Sequence, residues 1–465
     1  MSKFMGLLKN EYIKQLKKKS TLFIFILVGV FAFGLAGLVK LTMLIDTDLD
    51  DLKATFTSYD YSDDIDTAKE NGEEKLTEYY EYLQENRINR TNWKRGLAGV
   101  MFEQSFDKSD ITYAATVGYE GDIKELYGGF IKNNDWKGYY EFIKSRTDNK
   151  DIIWAIDYRL DKEIAPEENR YADDADWHNT VLDSYIDCTI RAENSFSEQQ
   201  KQAYVDRALT ARYRLENEVS VNIAGSSMTE MMSDDGGQQY ESGGIEKQTL
   251  WSSFSSSTSV VSFIGMLIIV IAGGIIASEF SNGTIKFLLI NPRTRGKILL
   301  SKYVTVISIG YIMMILCYVF SLISSIIFFG TSDMDAMYVT TSQGVTKAVS
   351  GFRYIFEQYM LSSVYVVVMA TFAFAISSVV KSSSLAIGLG IFAMSMGNNA
   401  VTILKMAFNV DAGRYTIFAN SNLQTIAQGQ TIFPGQTLTF AIGVIVVHMV
   451  VFLLTAWDGF VRRDV

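Results

Sequence analysis

Six long apolar segments recur along the chain, separated by polar stretches of very unequal length. A helix needs about 20 apolar residues to cross a hydrocarbon core of roughly 30 Å, and each segment reaches that length. The segments are residues 21–44, 257–278, 303–329, 356–380, 384–406 and 437–457. They predict an all-α polytopic membrane protein with six transmembrane helices, five of them within residues 257–465.

Polar residues stand inside two of these apolar segments. Asn398 and Asn399 are adjacent within the fifth segment and make it the weakest of the six. Because lipid offers no hydrogen-bond partner, this pair leaves open whether the helix is continuous, and a break there would open backbone to a cavity or to a dimer interface. His448, within the sixth segment, is a candidate for a polar contact inside the membrane.

A long polar block separates the first two apolar segments. Residues 45–218 contain many good helix formers, and 69–86 read KENGEEKLTEYYEYLQEN, with Glu and Lys spaced to stabilise a helix. Aromatic residues cluster at 136–142 and 154–158 and supply apolar surface for a core. The block therefore predicts a mainly helical domain. Residues 219–256 are rich in Ser and Gly, which predicts a flexible linker into the second segment.

Charge is distributed as unevenly as hydrophobicity. Residues 45–255 carry 44 acids and 23 bases, whereas the rest of the chain carries 8 acids and 19 bases. Fourteen Lys and Arg residues flank the apolar segments on one side, against four in the short loops on the other. The positive-inside rule therefore predicts a multi-pass protein of the cell membrane, with both termini cytoplasmic and residues 45–255 extracellular.

Few residues suit catalysis or metal binding. The chain has 2 Cys and 2 His, which argues against a disulfide framework and a structural zinc site. Its net charge of −10 argues against a nucleic-acid partner. Gly296 and Lys297 are followed by Ile298, so a Walker A phosphate-binding loop is absent. We expect no catalytic residue, no metal ligand and no cofactor bound by this chain, which is then not an enzyme by itself.

The first 20 residues have an amphipathic pattern. Five apolar residues fall within an arc of about 120° on a helical wheel, and lysines occupy the opposite arc. The apolar residues are Phe4, Met5, Leu8, Tyr12 and Leu16. This pattern predicts an interfacial helix on the cytoplasmic side, with its apolar face in membrane lipid and its lysines towards phosphates and water. The apolar segment at 21–44 follows it as the first transmembrane helix.

The stretch after the second apolar segment combines apolar and basic residues. Residues 279–295 read EFSNGTIKFLLINPRTR. Ser281 or Asn282 would cap a short helix, and Pro292 would end it, which predicts a cytoplasmic helix at 280–292. Adjacent apolar residues at 287–289 would then face the cytosol, where such a patch usually meets a partner or the lipid interface.

This stretch follows the pattern E-x-x-x-G-T-[I/L]-K-x-L-L-x-x-P-x-x-R, which resembles the coupling-helix region of type-2 ABC exporter permeases. That family also has six spans, cytoplasmic termini and an amphipathic N-terminal helix. The large insert between the first two spans is similar to that of sodium-efflux and antimicrobial-peptide exporter permeases. The resemblance covers the membrane part, about 250 residues.

The resemblance implies a subunit that pairs with a second copy of itself or with a paralogue. Two cytosolic ABC ATPase subunits would dock beneath the pair and would bind ATP and Mg. The residues implied in coupling to the ATPase are Glu279, Phe280, Gly283, Thr284, Ile285, Lys286, Leu288, Leu289, Arg293 and Arg295. The chain would export a substrate from the cytoplasm or the inner leaflet.

Three functions stay open at this point. The apolar spans lack a charged ion relay, which favours an amphipathic peptide or other hydrophobic cargo as the substrate. A sodium-efflux permease of the same architecture is the alternative, because the dense external acids would concentrate cations. A membrane-anchored receptor or sensor that transports nothing would also use a large extracellular domain.

Overall fold

The protein is helical and polytopic in its computed structural model. The structure describes residues 2–45, 54–104, 110–169, 176–195, 198–220, 249–284, 295–331, 334–342, 344–408, 410–427, 431, 433 and 435–462. About 78% of the structure is helical, and six helices are long and apolar enough to cross a membrane. This confirms the predicted all-α polytopic membrane fold. The chain divides into two compact units, here named the membrane unit and the helical unit.

The chain begins with two helices of the membrane unit. Helix α1 (Ser2–Leu16) precedes α2 (Lys19–Ile45), which contains the first candidate span. Most exposed side chains on α2 after its first turn are apolar, as at Leu22, Phe23 and Val30. Such a surface is stable where lipid surrounds the helix.

The helical unit follows in the sequence. Its helices are α3 (Ser62–Glu70), α4 (Glu74–Glu85), α5 (Lys94–Met101), α6 (Ile111–Ala114), α7 (Ile123–Asn133), α8 (Trp136–Arg146), α9 (Lys150–Asp161), α10 (Trp177–Glu193) and α11 (Glu198–Glu216). Acidic and amide side chains start several of them: Asp110, Asp122, Asp135, Asn149 and Asp176 each accept a hydrogen bond from a backbone N–H in the first turn. Part of the acidic composition therefore sets helix boundaries.

A core of its own holds the helical unit together. Leu83, Leu97, Tyr127, Ile143 and Leu182 are fully buried within it. The aromatic residues predicted to supply this core do so, because those at 136–142 and 154–158 lie in it or pack against it. Burial of this much apolar surface is the main stabilising term for such a unit.

A β-hairpin from much later in the chain completes the helical unit. Strands β1 (Met337–Ser342) and β2 (Val345–Ser350) pair antiparallel, from Met337 opposite Ser350 to Ser342 opposite Val345. The hydroxyls of Thr341 and Thr210 on α11 are 2.7 Å apart. The backbone N–H of Gly344, whose φ is +81°, donates to Asp206 at 2.8 Å. Sequence analysis treats these residues as a short loop and misses the hairpin.

The remaining helices belong to the membrane unit. They are α12 (Leu250–Ser256), α13 (Val260–Ser281), α14 (Arg295–Phe329), α15 (Gly351–Val379), α16 (Ser383–Phe408), α17 (Ile417–Asn420), α18 (Leu423–Ala427) and α19 (Leu438–Val461). Span one lies in α2, span two comprises α12 and α13, and spans three to six are α14, α15, α16 and α19. Span two is the central helix, with two thirds of its most apolar window buried.

The predicted linker at 219–256 is wrong at its C-terminal end. The side chain of Thr249 caps the backbone N–H of Ser252, and the Ser252 hydroxyl returns a bond to the Thr249 backbone. Leu250, Trp251 and Phe254 are then buried in the membrane unit. Composition does not predict this helix, because its serines outnumber its apolar residues. The capping box and the buried apolar face stabilise it instead.

Span five, whose continuity the sequence leaves open, is one helix. Helix α16 runs unbroken from Ser383 to Phe408. The side-chain amide of Asn399 donates to the carbonyl of Ser395 at 3.0 Å, one turn earlier on the same helix. This local bond gives the amide a partner without opening the helical backbone.

Candidate functional site: a buried charge network

A buried carboxylate side chain lies at the end of span two. Glu279 lies in the last turn of α13 and is 4% exposed. The helix ends two residues later at Ser281, and Gly283 then adopts a left-handed φ of +71° that only glycine accepts without strain. This turn brings Thr284 back, and its hydroxyl donates to the Glu279 carboxylate.

The second turn of span three supplies the matching cation. Lys302 on α14 has no exposed surface. Its ammonium group donates to both carboxylate oxygens of Glu11 on α1, at 2.9 and 3.0 Å. The same group lies 3.4 Å from Oε1 of Glu279. One lysine therefore joins the N-terminal helix to the end of span two.

The N-terminal helix closes the network with a second lysine. Glu11 and Lys14 are three residues apart and share one face of α1. The Lys14 ammonium group binds Glu279 directly, and Gln15 on the adjoining face is buried. We call Glu11, Lys14, Glu279, Thr284 and Lys302 the charge network.

Lysine is in excess at this site. Lys18 is half-buried at the junction of α1 and α2. Its burial, followed by repulsion from Lys14 and Lys302, lowers the pKa of Lys18. The two glutamates of the network act in the opposite direction but do not outweigh these effects. Three lysines therefore share this site with two glutamates, and Lys18 is the one whose charged form is disfavoured.

The network links helices that are distant in sequence. Removing ions from water is costly, and only close pairing with full hydrogen bonding offsets that cost. Here each carboxylate meets an ammonium group from a different helix. Moving α1, span two or span three apart would leave buried charges without partners. These three elements are thus linked, and the link lies at one end of the membrane unit.

The structure brings together some of the residues implied in coupling and separates others. Glu279 and Thr284 meet in the network, and Phe280 is half-buried beside it. Arg295 begins α14 and donates to the carbonyl of Val461 at the end of span six, 3.3 Å away. The other implied residues, Ile285, Lys286, Leu288, Leu289 and Arg293, lie outside the described residues, as does most of the predicted helix at 280–292.

Sequence reasoning missed the network partners of Glu279. Lys302 is one of the fourteen flanking positive charges in the sequence, directly before the apolar segment at 303–329. Helix α14 begins eight residues earlier, at Arg295, and so includes Lys302. Glu11 was a usable signal, since it is the one acid among six lysines in residues 1–19.

The predicted apolar face of α1 is divided between the protein and the outside. Phe4, Leu8 and Tyr12 are half-buried, on the side of α1 that bears the network. Met5 and Leu16 are exposed by 60% and 49%. The surface of α1 that faces the protein is therefore partly ionic. A helical wheel that separates only apolar from charged residues does not show this.

The two histidines serve local contacts. His448 on span six is half-buried, with Nδ1 2.9 Å from the carbonyl of Val444 and its ring against Phe452. His178 in the helical unit lies between Asp176 and Glu218. Among the described residues, no group of three or more His, Cys, Asp or Glu side chains is arranged to hold a metal ion.

The fold and the charge network define a polytopic membrane protein whose N-terminal helix is tied to spans two and three. The chain belongs to the DUF2705 family, described as a protein of unknown function, whose model matches residues 223–465. The match covers the membrane unit after its first two helices and includes both Glu279 and Lys302.

Two proteins of Bacillus subtilis (strain 168) are similar to this chain. The uncharacterized protein YhcI is 34% identical over 219 residues, 47% of this chain and 69% of YhcI. The uncharacterized membrane protein YdbK is 31% identical over 200 residues, 43% of this chain and 76% of YdbK. No solved structure matches the chain.

Proposed function

We propose that this chain is the membrane subunit of an ATP-driven exporter. It would pair with a second permease and dock two cytosolic ATPase subunits, which would bind ATP and Mg. In this proposal the protein lies in the cell membrane with both termini cytoplasmic and the helical unit outside. The charge distribution supports that orientation, since Lys and Arg concentrate on the side assigned to the cytoplasm.

The charge network carries the proposal. It lies where the permease-like motif begins, at Glu279, and it joins that point to α1 and to span three. A force applied to the loop after Thr284 would act first on Glu279. Lys302 would pass it to span three, and Glu11 and Lys14 would pass it to the N-terminal helix. The network thus gives a contiguous physical path from the loop to three membrane elements.

The spans favour a hydrophobic or amphipathic cargo. Within the described spans, the acidic residues lie near helix ends: Glu279 and Asp458 at one end, and Glu357, paired with Arg353 at 3.0 Å, in the second turn of span four. An ion pathway built on carboxylates would need one of them deep in the membrane. A sodium-efflux permease remains the alternative substrate assignment, supported by the acidic helical unit.

A receptor without transport is the second candidate. The helical unit supports it, because that unit has its own hydrophobic core and is large enough to bind a ligand. A receptor would not require the loop at 279–295 to bind an ATPase. Recovery of an ATPase therefore distinguishes the two functions.

The experiment is co-purification from native membranes in mild detergent, with mass spectrometry of the recovered proteins. We expect a Walker-motif ATPase to accompany the tagged wild-type chain. Leu288→Asp combined with Leu289→Asp should abolish its recovery. The matched control is Val345→Asp, which puts the same charge on an exposed apolar position of the hairpin and should not. Folded wild-type protein recovered without any ATPase would contradict the proposal and favour the receptor.

A further inference from the structure

The loop between spans five and six carries a cation that has no acidic partner among the described residues. Arg414 lies in a short 3₁₀ helix (Asp411–Tyr415) of that loop and is half-buried. Asp411, on the same turn, is bound by Lys405 from the end of span five. Within the part of the chain that the structure describes, Arg414 forms no ion pair, and its Nε is enclosed without a hydrogen-bond partner. The charge of Arg414 therefore remains to be balanced by another molecule.

Two aromatic rings contact the Arg414 side chain at the boundary of the membrane. The guanidinium carbon is 4.9 Å from the ring centre of Phe440 and 5.6 Å from that of Tyr415. The two rings meet edge to face, with their centres 5.7 Å apart. Phe440 is the third residue of α19, so the guanidinium lies where span six begins. Lipid headgroups lie at this level, and aromatic side chains are enriched there.

Buried polar side chains fix the backbone at Arg414. The side-chain amide of Asn420, which has no exposed surface, donates to the carbonyls of Arg414 and Thr416 at 2.7 and 2.8 Å. The amide of Gln436 donates in turn to Asn420 at 2.8 Å. None of these bonds uses the guanidinium. A change confined to the Arg414 side chain should therefore leave the loop folded.

The same end of the membrane unit exposes large apolar side chains. Met406 and Phe408 at the end of span five are exposed by 82% and 70%, and Tyr415 in the loop by 60%. Large apolar side chains that are exposed together usually mark a surface that meets lipid or a partner. A ligand that satisfies both features brings an anion and hydrocarbon in one molecule.

We propose that Arg414 binds the phosphate of an anionic phospholipid in the leaflet opposite the charge network. A guanidinium presents paired N–H donors that match the oxygens of a phosphate. The terminal nitrogens make this contact, because Nε is enclosed. The acyl chains of the same molecule cover Met406, Phe408 and Tyr415. A free phosphate ion would satisfy the guanidinium alone and leave these side chains uncovered.

This lipid site goes beyond the proposed function and does not rest on it. The charge network lies at the start of span three, and the loop with Arg414 follows span five. Three crossings separate them, so they face opposite leaflets. A ligand that binds only the folded protein stabilises it. Anionic lipid in this leaflet would therefore stabilise the ends of spans five and six.

The test is lipid titration of the purified full chain in detergent, measured by native mass spectrometry. The probe is phosphatidylglycerol, and phosphatidylcholine with the same acyl chains is the neutral lipid. We expect the wild type to bind one phosphatidylglycerol molecule about ten-fold more tightly than Arg414→Gln does. Arg414→Lys, which keeps the charge but loses the fork, should lie between them.

The matched control is Arg353→Gln. It removes the same charge on the same side of the membrane, from a side chain that is 68% exposed and already paired with Glu357. We expect it to bind phosphatidylglycerol as the wild type does. Thermal unfolding in lipid-free detergent should be the same for the wild type and Arg414→Gln. If Arg414→Gln unfolds earlier, the comparison with Arg414→Lys decides.

Other outcomes would overturn the inference. Equal affinity of the wild type and the Arg414 variants for phosphatidylglycerol would show that the lipid binds elsewhere. Equal binding of the two lipids would show that the anionic headgroup is not selected. Displacement of the lipid by excess inorganic phosphate would indicate a site for phosphate alone. An equal loss in Arg353→Gln would indicate general electrostatic attraction.

Discussion

Arg159 and Lys302 are both buried cations, but the two units of the protein hold them in different ways. Arg159 in the helical unit is 1% exposed and donates to the carbonyl of Ile164 at 3.3 Å, to Asn179 at 2.6 Å and to Asp183 at 3.2 Å. Its guanidinium also lies 4.7 Å from the ring centre of Tyr140. All these partners belong to one compact unit.

Lys302 depends instead on elements that are distant in sequence. Glu11 precedes it by 291 residues and Glu279 by 23, and each lies on a separate helix. A guanidinium fork fixes the directions of its bonds, whereas an ammonium group is a compact charge with three freely rotating donors. Arg159 therefore locks one geometry. Lys302 can keep a carboxylate partner while α1, span two and span three shift against each other.

Loss of Arg159 should have the largest effect. Arg159→Met fits the volume but leaves the carbonyl of Ile164 and the amide of Asn179 without their donor. We expect the free energy of unfolding of the helical unit to fall by about 4 kcal/mol. Limited proteolysis of the purified full chain over a temperature series measures it. Lys132→Met, at an exposed position on α7, is the control, and equal loss in both variants would contradict the prediction.

Loss of Lys302 should come next. Lys302→Met takes the ammonium group away from the half-buried carboxylate of Glu11 and leaves the buried carboxylate of Glu279 with Lys14 and Thr284, which we expect to cost about 3 kcal/mol. The expected result is release of α1, measured as faster thiol labelling of Gln15→Cys, a position 2% exposed in the intact protein. Lys297→Met, exposed one turn earlier on α14, should leave the labelling rate unchanged. Slow labelling in Lys302→Met would show that packing alone holds α1.

Exchanging the two cations tests the comparison itself. Arg159→Lys keeps the charge but loses the fork and the ring contact, and we expect a loss of about 2 kcal/mol in the helical unit. Lys302→Arg also keeps the charge, and two carboxylates from different directions should accept it at a smaller cost. Thermal unfolding of both variants in one detergent provides the measurement. The comparison fails if Lys302→Arg is the more damaging exchange.

A smaller effect is expected at the edge of the charge network. Thr284→Val removes the hydroxyl that donates to Glu279 and keeps the side-chain shape, at a cost of about 1 kcal/mol. Thr284→Ser should restore the bond. The Gln15→Cys labelling rate would rise in the valine variant and return in the serine variant. Identical rates in both would mean that Lys14 and Lys302 satisfy Glu279 without Thr284.

The smallest effect is expected on the pH dependence of the stability of the helical unit. Hydrogen bonds, from His178 first and then from Lys162, lower the pKa of Glu218 below its usual value of 4.5. A lowered pKa in the folded state contributes stability that is present above pH 4.5 and is lost as pH falls through the folded value. Glu218→Gln should flatten the stability curve below pH 4.5 and change little at pH 7. If the loss of stability below pH 4.5 were the same in Glu218→Gln and in the wild type, Glu218 would not contribute to the pH dependence.

The sequence predicts the spans well because a bilayer imposes a length and a composition that can be counted. It predicts the charge network poorly, because the positive-inside rule uses the position of Lys302 in the sequence and not its contacts in the fold. The sequence leaves the continuity of span five open because Asn398 and Asn399 are costly in lipid, and the local bond from Asn399 to Ser395 partly removes that cost. The sequence does not predict the hairpin at 337–350, because two strands of six residues between spans have the same pattern as a polar loop.

The helical unit is built from two lengths of chain, and this fixes an order of events during synthesis. Its helices leave the ribosome first, but α11 lacks its hairpin until spans two and three have been made. Since residues 335–350 join the same unit as residues 54–220, both must reach the same side of the membrane. A chain in which span two or three fails to cross would therefore leave the hairpin on the wrong side and the helical unit unfinished.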